Sequence, residues 1–311
     1  MTTLLTKWIR LVALLLVLGS IYITWRWFDA GEWWADLRTL AAQPRWLALM
    51  LAVYGLSFAL KASAWRLYAP SQAPFRVYVH AILYSLLVNH LLPIKAGDAV
   101  RAGVLMKQAG QRWDEALHSV GIMRLLDMAV LGLIGGTGII LLGLPTSWWG
   151  FAALAGLLAL VAVARFLPWL SRLPFVRKHS DYFRTRMMSA RGVAIFALVA
   201  LSWLLEAGVI YGVARILAIP LGGAPLIWAN SMTIAGQIFH VTPGGIGTYE
   251  STMSGSLYLL GIEGPLAYRA ALLSHTFKFA FAYAAGAYAL LRLPIRIRDV
   301  SQYISRKDFK G

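Results

Sequence analysis

The stretch Asn89–Gly103, NHLLPIKAGDAVRAG, decides how the chain folds. It follows Val77–Val88, VYVHAILYSLLV, an apolar run that reads as a helix entering a bilayer. At Pro93 the pattern stops. Proline lacks the N–H that a helix interior needs, and Gly97 adds backbone freedom just beyond it. Three ionisable residues, Lys95, Asp98 and Arg101, stand at the break. The run Lys95–Met106 that follows is about 18 Å long as a helix, against a hydrocarbon core about 30 Å thick. Segment 75–107 therefore reads as a re-entrant helical hairpin, leaving the membrane by the face it entered. Irregular backbone at that depth requires protein or a wet cavity around it, so the break predicts an interior site.

The rest of the chain fits a membrane context. Of its 311 residues, 59% are hydrophobic and 14% charged, with mean hydropathy +0.65; soluble domains carry about 25% charged residues. Apolar spans fall near 9–28, 45–67, 113–143, 147–168, 190–217 and 264–291, and 221–261 is apolar but broken. The first run is too long for a signal-peptide core and reads as a retained span. The fold class is an all-α polytopic membrane protein with about six transmembrane helices plus two re-entrant helical hairpins. The net charge of +16 reads as cytoplasmic loops and lipid contact rather than nucleic-acid binding. With no cysteine, disulfides, thiolate metal sites and thiol nucleophiles are excluded. No Walker A loop is present, and no metal or other cofactor is implied.

The second broken segment resembles the first. Setting His90–Val100 against His240–Glu250 aligns His90 with His240, Pro93 with Pro243 and Gly97 with Gly247. Three spans separate the hairpins, so the second enters from the opposite side. That parity is an inverted repeat, with a first unit of about 45–143 and a second of about 190–291, and such repeats place a site between them. The basic loop before 190, the basic tail 292–311 and Lys7 and Arg10 predict cytoplasmic termini. The acidic-leaning loop 29–44 then faces outside, with Trp33, Trp34, Trp148 and Trp149 as interface residues.

Broken helices present backbone N–H groups and a positive helix end to an anion. Lys95 and Arg101 add charge in the first hairpin; Gly244, Gly245 and Gly247 allow close backbone approach in the second. Arg124 and Asp127 share a helix face three residues apart and are expected to pair, which leaves Arg101 for a ligand. Glu206 and Lys278 are lone charges in apolar spans and must face the interior. The two histidines, His90 and His240, read more readily as helix-to-helix hydrogen-bonding groups than as ligands. The glycine pairs Gly132–Gly136 and Gly208–Gly212 read as helix packing. The ionisable groups Arg101, Arg124, Lys95 and Lys278 balance Asp98, Asp127, Glu206 and Glu250. Such a site holds an anion only if its internal pairing is uneven. The two motifs are expected to meet in space, with Arg101 and Glu250 facing one cavity.

In this order and spacing the residues resemble the flippase-like family named after the transmembrane region of lysylphosphatidylglycerol synthetase. Its pattern N-x-x-L-P-x-x-x-G-(D/E)-x-x-R reads here as Asn89, Leu92, Pro93, Gly97, Asp98 and Arg101. Its R-x-x-D is Arg124 and Asp127, and its P-G-G-x-G-x-x-E is Pro243, Gly244, Gly245, Gly247 and Glu250. Met123 stands where an acid often precedes the second arginine. The resemblance implies movement of lipids or lipid-linked intermediates between leaflets of a bacterial inner membrane, without the aminoacyl-transfer domain of the larger relatives. An anionic phospholipid or polyprenyl phosphate is then the partner, with no enzymatic activity. Lys95, Arg101 and Arg124 would hold the phosphate; Asp98 and Glu250 would orient the cations or take a coupling ion. His90, Glu206, His240 and Lys278 would support the site. Two other readings stay open: a membrane enzyme on lipid phosphates using His90 or His240, and a non-transporting partner of an envelope glycosyltransferase. A homo-oligomer is compatible with all three.

Overall fold

The computed structural model describes residues 18–71, 73–92, 96–144, 174–237 and 242–292. The expected span at 147–168, Pro93, Lys95, His240, Trp148, Trp149 and the basic tail lie outside the described residues, as does the start of the first span.

All regular structure among the described residues is helical. After a helical stretch at 18–27 come α1 (Ala30–Ala41), α2 (Pro44–Tyr68), α3 (Phe75–Leu91), α4 (Gly97–Ala109) and α5 (Trp113–Leu141). Then follow α6 (Pro174–Met187), α7 (Ala190–Glu206), α8 (Gly208–Ile216), α9 (Gly223–Gly236), α10 (Thr248–Leu259) and α11 (Gly264–Arg292). Local chemistry sets many of the boundaries. Asp29 caps α1 by accepting the Glu32 N–H at 2.9 Å. Pro44 begins α2, where its missing N–H has no helical partner to lose. Gly110 ends α4 in the left-handed region.

Among the described residues, three helical stretches are long and apolar enough to cross a membrane: Pro44–Tyr68, Trp113–Leu141 and Ala190–Ile216, the last formed by α7 and α8. Their faces are inverted relative to a soluble protein. On α2 the outward residues include Leu49, Leu51 and Leu56, while Ser57 is buried. On α7 Val193, Leu201 and Leu204 face out, while Ser202 and Glu206 are buried. Apolar groups outside and charge inside suit hydrocarbon as the solvent.

The packing brings the two broken segments together. The long pair α2 and α7 forms the most extensive helix contact, and α8 continues along α2. There Gly208 and Gly212 sit directly on Val53 and Met50, the helix-packing role expected of that glycine pair. The last helix, α11, packs against both α3 and α10, and α9 bridges α5 to α10. Basic α6 is tethered to the start of α5, where Lys178 pairs with Asp114 at 3.2 Å and Glu115 at 3.1 Å. The Tyr182 hydroxyl donates to the Tyr68 carbonyl at 2.5 Å.

Candidate functional site

The first break lies between α3 and α4. Asn89, in the last turn of α3, accepts the Gly97 N–H at 2.9 Å, which satisfies one of the open donors at the start of α4. A side chain at Gly97 would collide with Ser85 and Asn89, so only glycine lets α4 come this close. One residue on, Asp98 takes a fork from Arg124. Arg124 Nε lies 3.0 and 2.9 Å from the two carboxylate oxygens and Nη2 lies 2.8 Å from Oδ1. The Arg124–Asp127 contact is longer, 3.6 Å. Asp127 instead accepts a hydrogen bond from the Trp203 indole at 2.9 Å.

The expected Arg124–Asp127 pair is thus present but secondary: Arg124 belongs first to Asp98, because residues brought together across the break align a planar fork better than neighbours on one helix. Arg101 reaches Asp98 only at 3.9 Å, and its buried Nε has no hydrogen-bond partner among the described residues. Arg101 lines a small cavity together with Lys61, Trp65 and Asp127. At about 10 Å³, it has room for about one water.

The second break ends in a tight turn. Pro243 is exposed, whereas Gly244 and Gly245 are buried. Gly244, Gly245 and Gly247 have φ of 63°, 77° and 85°, a region that strains residues with a Cβ. A side chain at Gly244 would also enter the Phe279 ring. Glu250, in the first turn of α10, reaches back to accept the Gly247 N–H at 2.6 Å. Its other oxygen lies 2.6 Å from His275 Nδ1. His275 Nε2 lies 3.2 Å from the Gly244 carbonyl. A carbonyl accepts only, so Nε2 carries a hydrogen there. The short Glu250–His275 contact then also needs a proton, held by one of the two side chains.

A buried bridge joins the motifs. Glu206, the last residue of α7, takes Lys61 of α2 at 2.9 Å on one oxygen and Lys278 of α11 at 3.2 Å on the other. Lys278 also donates to Asn230 at 3.2 Å and lies 5.2 Å from the Tyr249 ring centroid. Tyr249 stacks on His275 at 4.1 Å. On the other side, Lys61 sits 3.3 Å above the Trp203 ring, whose N–H is held by Asp127. One continuous series of polar and aromatic contacts thus runs from Asp98 to Glu250. The expectation that the motifs meet is also met by packing: the Pro243–Gly245 turn lies against α3, and Phe279 contacts both His90 and His275 at 4.8 Å.

Glu250, however, does not line the cavity that Arg101 faces; its oxygens are engaged by the turn and His275. His90 Nδ1 contacts the Leu86 carbonyl at 2.8 Å within its own helix α3, so this bond is not the helix-to-helix one expected of it. Lys61, Trp203, Asn230 and His275 were not singled out from sequence. Lys61 and His275 carried a usable signal, a lone ionisable group in an apolar span, the same one that marks Lys278. Among the described residues no group of three His, Cys, Asp or Glu side chains is placed to hold a metal ion.

The family model described as the lysylphosphatidylglycerol synthase TM region matches residues 10–286. The chain belongs to this family. A search of curated proteins finds no match to it. The matched span of this lysylphosphatidylglycerol synthase TM-region member includes both broken segments and every residue of the bridge. Membership and the apolar outer faces together make it a membrane protein, consistent with a lipid-related role.

Proposed function

We propose that the chain is a lipid flippase: it carries the head group of an anionic phospholipid or polyprenyl-phosphate lipid between leaflets of a bacterial inner membrane. The observation that carries this reading is Arg101. It is a half-buried cation whose buried Nε has no hydrogen-bond partner among the described residues, beside a cavity and near a helix start. Evolution-neutral packing does not require such a group, and burying it costs several kcal/mol, on the order seen for ions removed from water. A phosphate oxygen would satisfy it with a charge-assisted hydrogen bond. The cavity is too small for a phosphate as it stands, so entry requires helices to separate. In this reading α3–α4 and α9–α10 are re-entrant hairpins of an inverted repeat, and rocking about the bridge between them opens the site to each leaflet in turn. Both termini are cytoplasmic.

His275 fits a structural role. Both nitrogens of His275 are occupied by Glu250 and Gly244, which leaves none for a reacting atom. The test is reconstitution in liposomes with fluorescent phosphatidylglycerol or a polyprenyl phosphate and a leaflet-selective quencher. Translocation faster than in protein-free vesicles, lost in Arg101→Met, is expected. Equal rates with and without protein for both lipid classes would overturn the reading.

A further inference from the structure

Lys61 occupies two environments at once. It lines the cavity beside Arg101 and Asp127, and its ammonium is also one of two cations sharing the Glu206 carboxylate. An ammonium has three N–H donors. The partners of Lys61 are one Glu206 oxygen at 2.9 Å and the faces of Trp203 at 3.3 Å and Phe58 at 5.5 Å. Lys278 is better supplied, with Glu206, Asn230 and the Tyr249 ring around it. The shared bridge therefore holds two positive charges against one negative charge, and Lys61 is the more weakly satisfied of the two. With Arg124 engaged by Asp98, the cavity and the bridge place Lys61, Arg101 and Lys278 against Asp127 and Glu206, three cations to two carboxylates. That excess removes the objection that a balanced site would hold an anion poorly.

We propose that Lys61 is a transferable cation: it belongs to Glu206 while the cavity is empty and turns to an oxygen of a phosphate that enters beside Arg101, leaving Glu206 to Lys278 alone. Anion binding is thereby linked to the bridge that ties α2, α7 and α11 together. The inference rests on the anionic-ligand reading above and adds a residue and a coupling to it. The ligand chemistry is a phosphate monoanion or dianion, supplied by a lipid head group or by free phosphate. Glu206 competes with the ligand for Lys61. Removing its charge should release the lysine and tighten binding, although a ligand phosphate never touches Glu206.

The experiment is a set of binding titrations on the purified full chain in detergent. The probes are dihexanoyl phosphatidylglycerol, inorganic phosphate and, as zwitterionic control, dihexanoyl phosphatidylcholine. Lys61→Met is expected to weaken phosphatidylglycerol or phosphate binding about tenfold or more, the loss of one charge-assisted contact, with Lys61→Arg restoring most of it. Glu206→Gln is expected to tighten binding severalfold in the parent and to have no effect in Lys61→Met. A Glu206→Gln gain that persists in Lys61→Met would mean general electrostatics, and an unchanged or weakened affinity in the parent would mean no competition; either overturns the proposal. If Glu206→Gln does not fold, Lys278→Met serves instead. It should hand Glu206 wholly to Lys61 and weaken binding only when Lys61 is present; an equal loss in both backgrounds overturns the proposal. Free phosphate binding as tightly as the lipid would identify the phosphate alone as the recognised element, and tighter lipid binding would add the glycerol head group; binding of neither anion overturns it. Liposome translocation separates this inference from the transport reading. Lys61-dependent binding without translocation removes the flippase and keeps the transferable cation. Translocation and binding indifferent to Lys61→Met do the reverse.

Discussion

The two broken segments solve the same problem differently. At the first, the break is surrounded by side-chain charge: Asp98, Arg101 and Arg124, with about a third of the Arg124 and Asp98 side chains exposed. At the second, the turn is tied by backbone groups: Glu250 holds Gly247, His275 bonds the Gly244 carbonyl, and the Thr242 hydroxyl donates to the Ile246 carbonyl at 2.6 Å. The second turn is closed on itself and fixes a shape. The first retains a guanidinium nitrogen with no partner and a space beside it. Sequence motifs of similar outline thus give one turn tied to its own backbone and one break with an unpartnered guanidinium N–H.

That contrast can be broken by substitutions, beginning with the largest expected effect. Glu250→Ala removes the shared acceptor of Gly247 and His275 from a buried site, and should cost roughly 3–5 kcal/mol, read as a large fall in thermal stability in detergent. A small effect would mean the second turn is not held by its carboxylate. Gly244→Ala forces a Cβ into the left-handed region and against Phe279. The expected loss is on the order of 1–3 kcal/mol, and combining it with Phe279→Leu should recover the steric part alone. No recovery in that pair would leave backbone strain as the whole cause.

At the first break the stability effects should be smaller. Arg124→Lys keeps the charge but loses the fork on Asp98. With both side chains about a third exposed, a loss of about 1–2 kcal/mol is expected after allowance for solvent screening. Arg101→Met should not destabilise the fold, because it removes a largely desolvated cation whose one ion contact is long. Translocation of an anionic head group should nevertheless fall more than tenfold, matching a lost charged hydrogen bond at roughly 1.5–3 kcal/mol. If Arg101→Met unfolds while Arg124→Lys is silent, the assignment of a structural and a binding arginine is reversed.

The local half of this arrangement was legible in the sequence. Pro44 sets the start of α2, and the interruption near Pro93 and Gly97 separates α3 from α4. The P-G-G-x-G run marks a turn that only glycine can make. What was not legible is pairing across distance. Lys61 and Glu206 are 145 residues apart, and nothing in either local pattern names the partner. Arg124 has the same history: spacing along one helix offered Asp127, which it does reach at 3.6 Å, while the fold brought Asp98 closer from across the break. His275 was passed over beside Lys278 on the same apolar helix, although both met the rule that lone ionisable groups turn inward.

Trp203 gives the bridge a consequence of another kind. Its ring carries the Lys61 ammonium on one face while its N–H points to the Asp127 carboxylate. Excitation of an indole shifts electron density between its two rings, so its emission wavelength follows the field of nearby charge. Movement of Lys61 by even a few ångströms alters that field. Among the 13 tryptophans of the chain, the difference spectrum between the parent and Trp203→Phe isolates this one. The protein therefore contains its own optical gauge of where the lysine resides, readable in a cuvette without any added label.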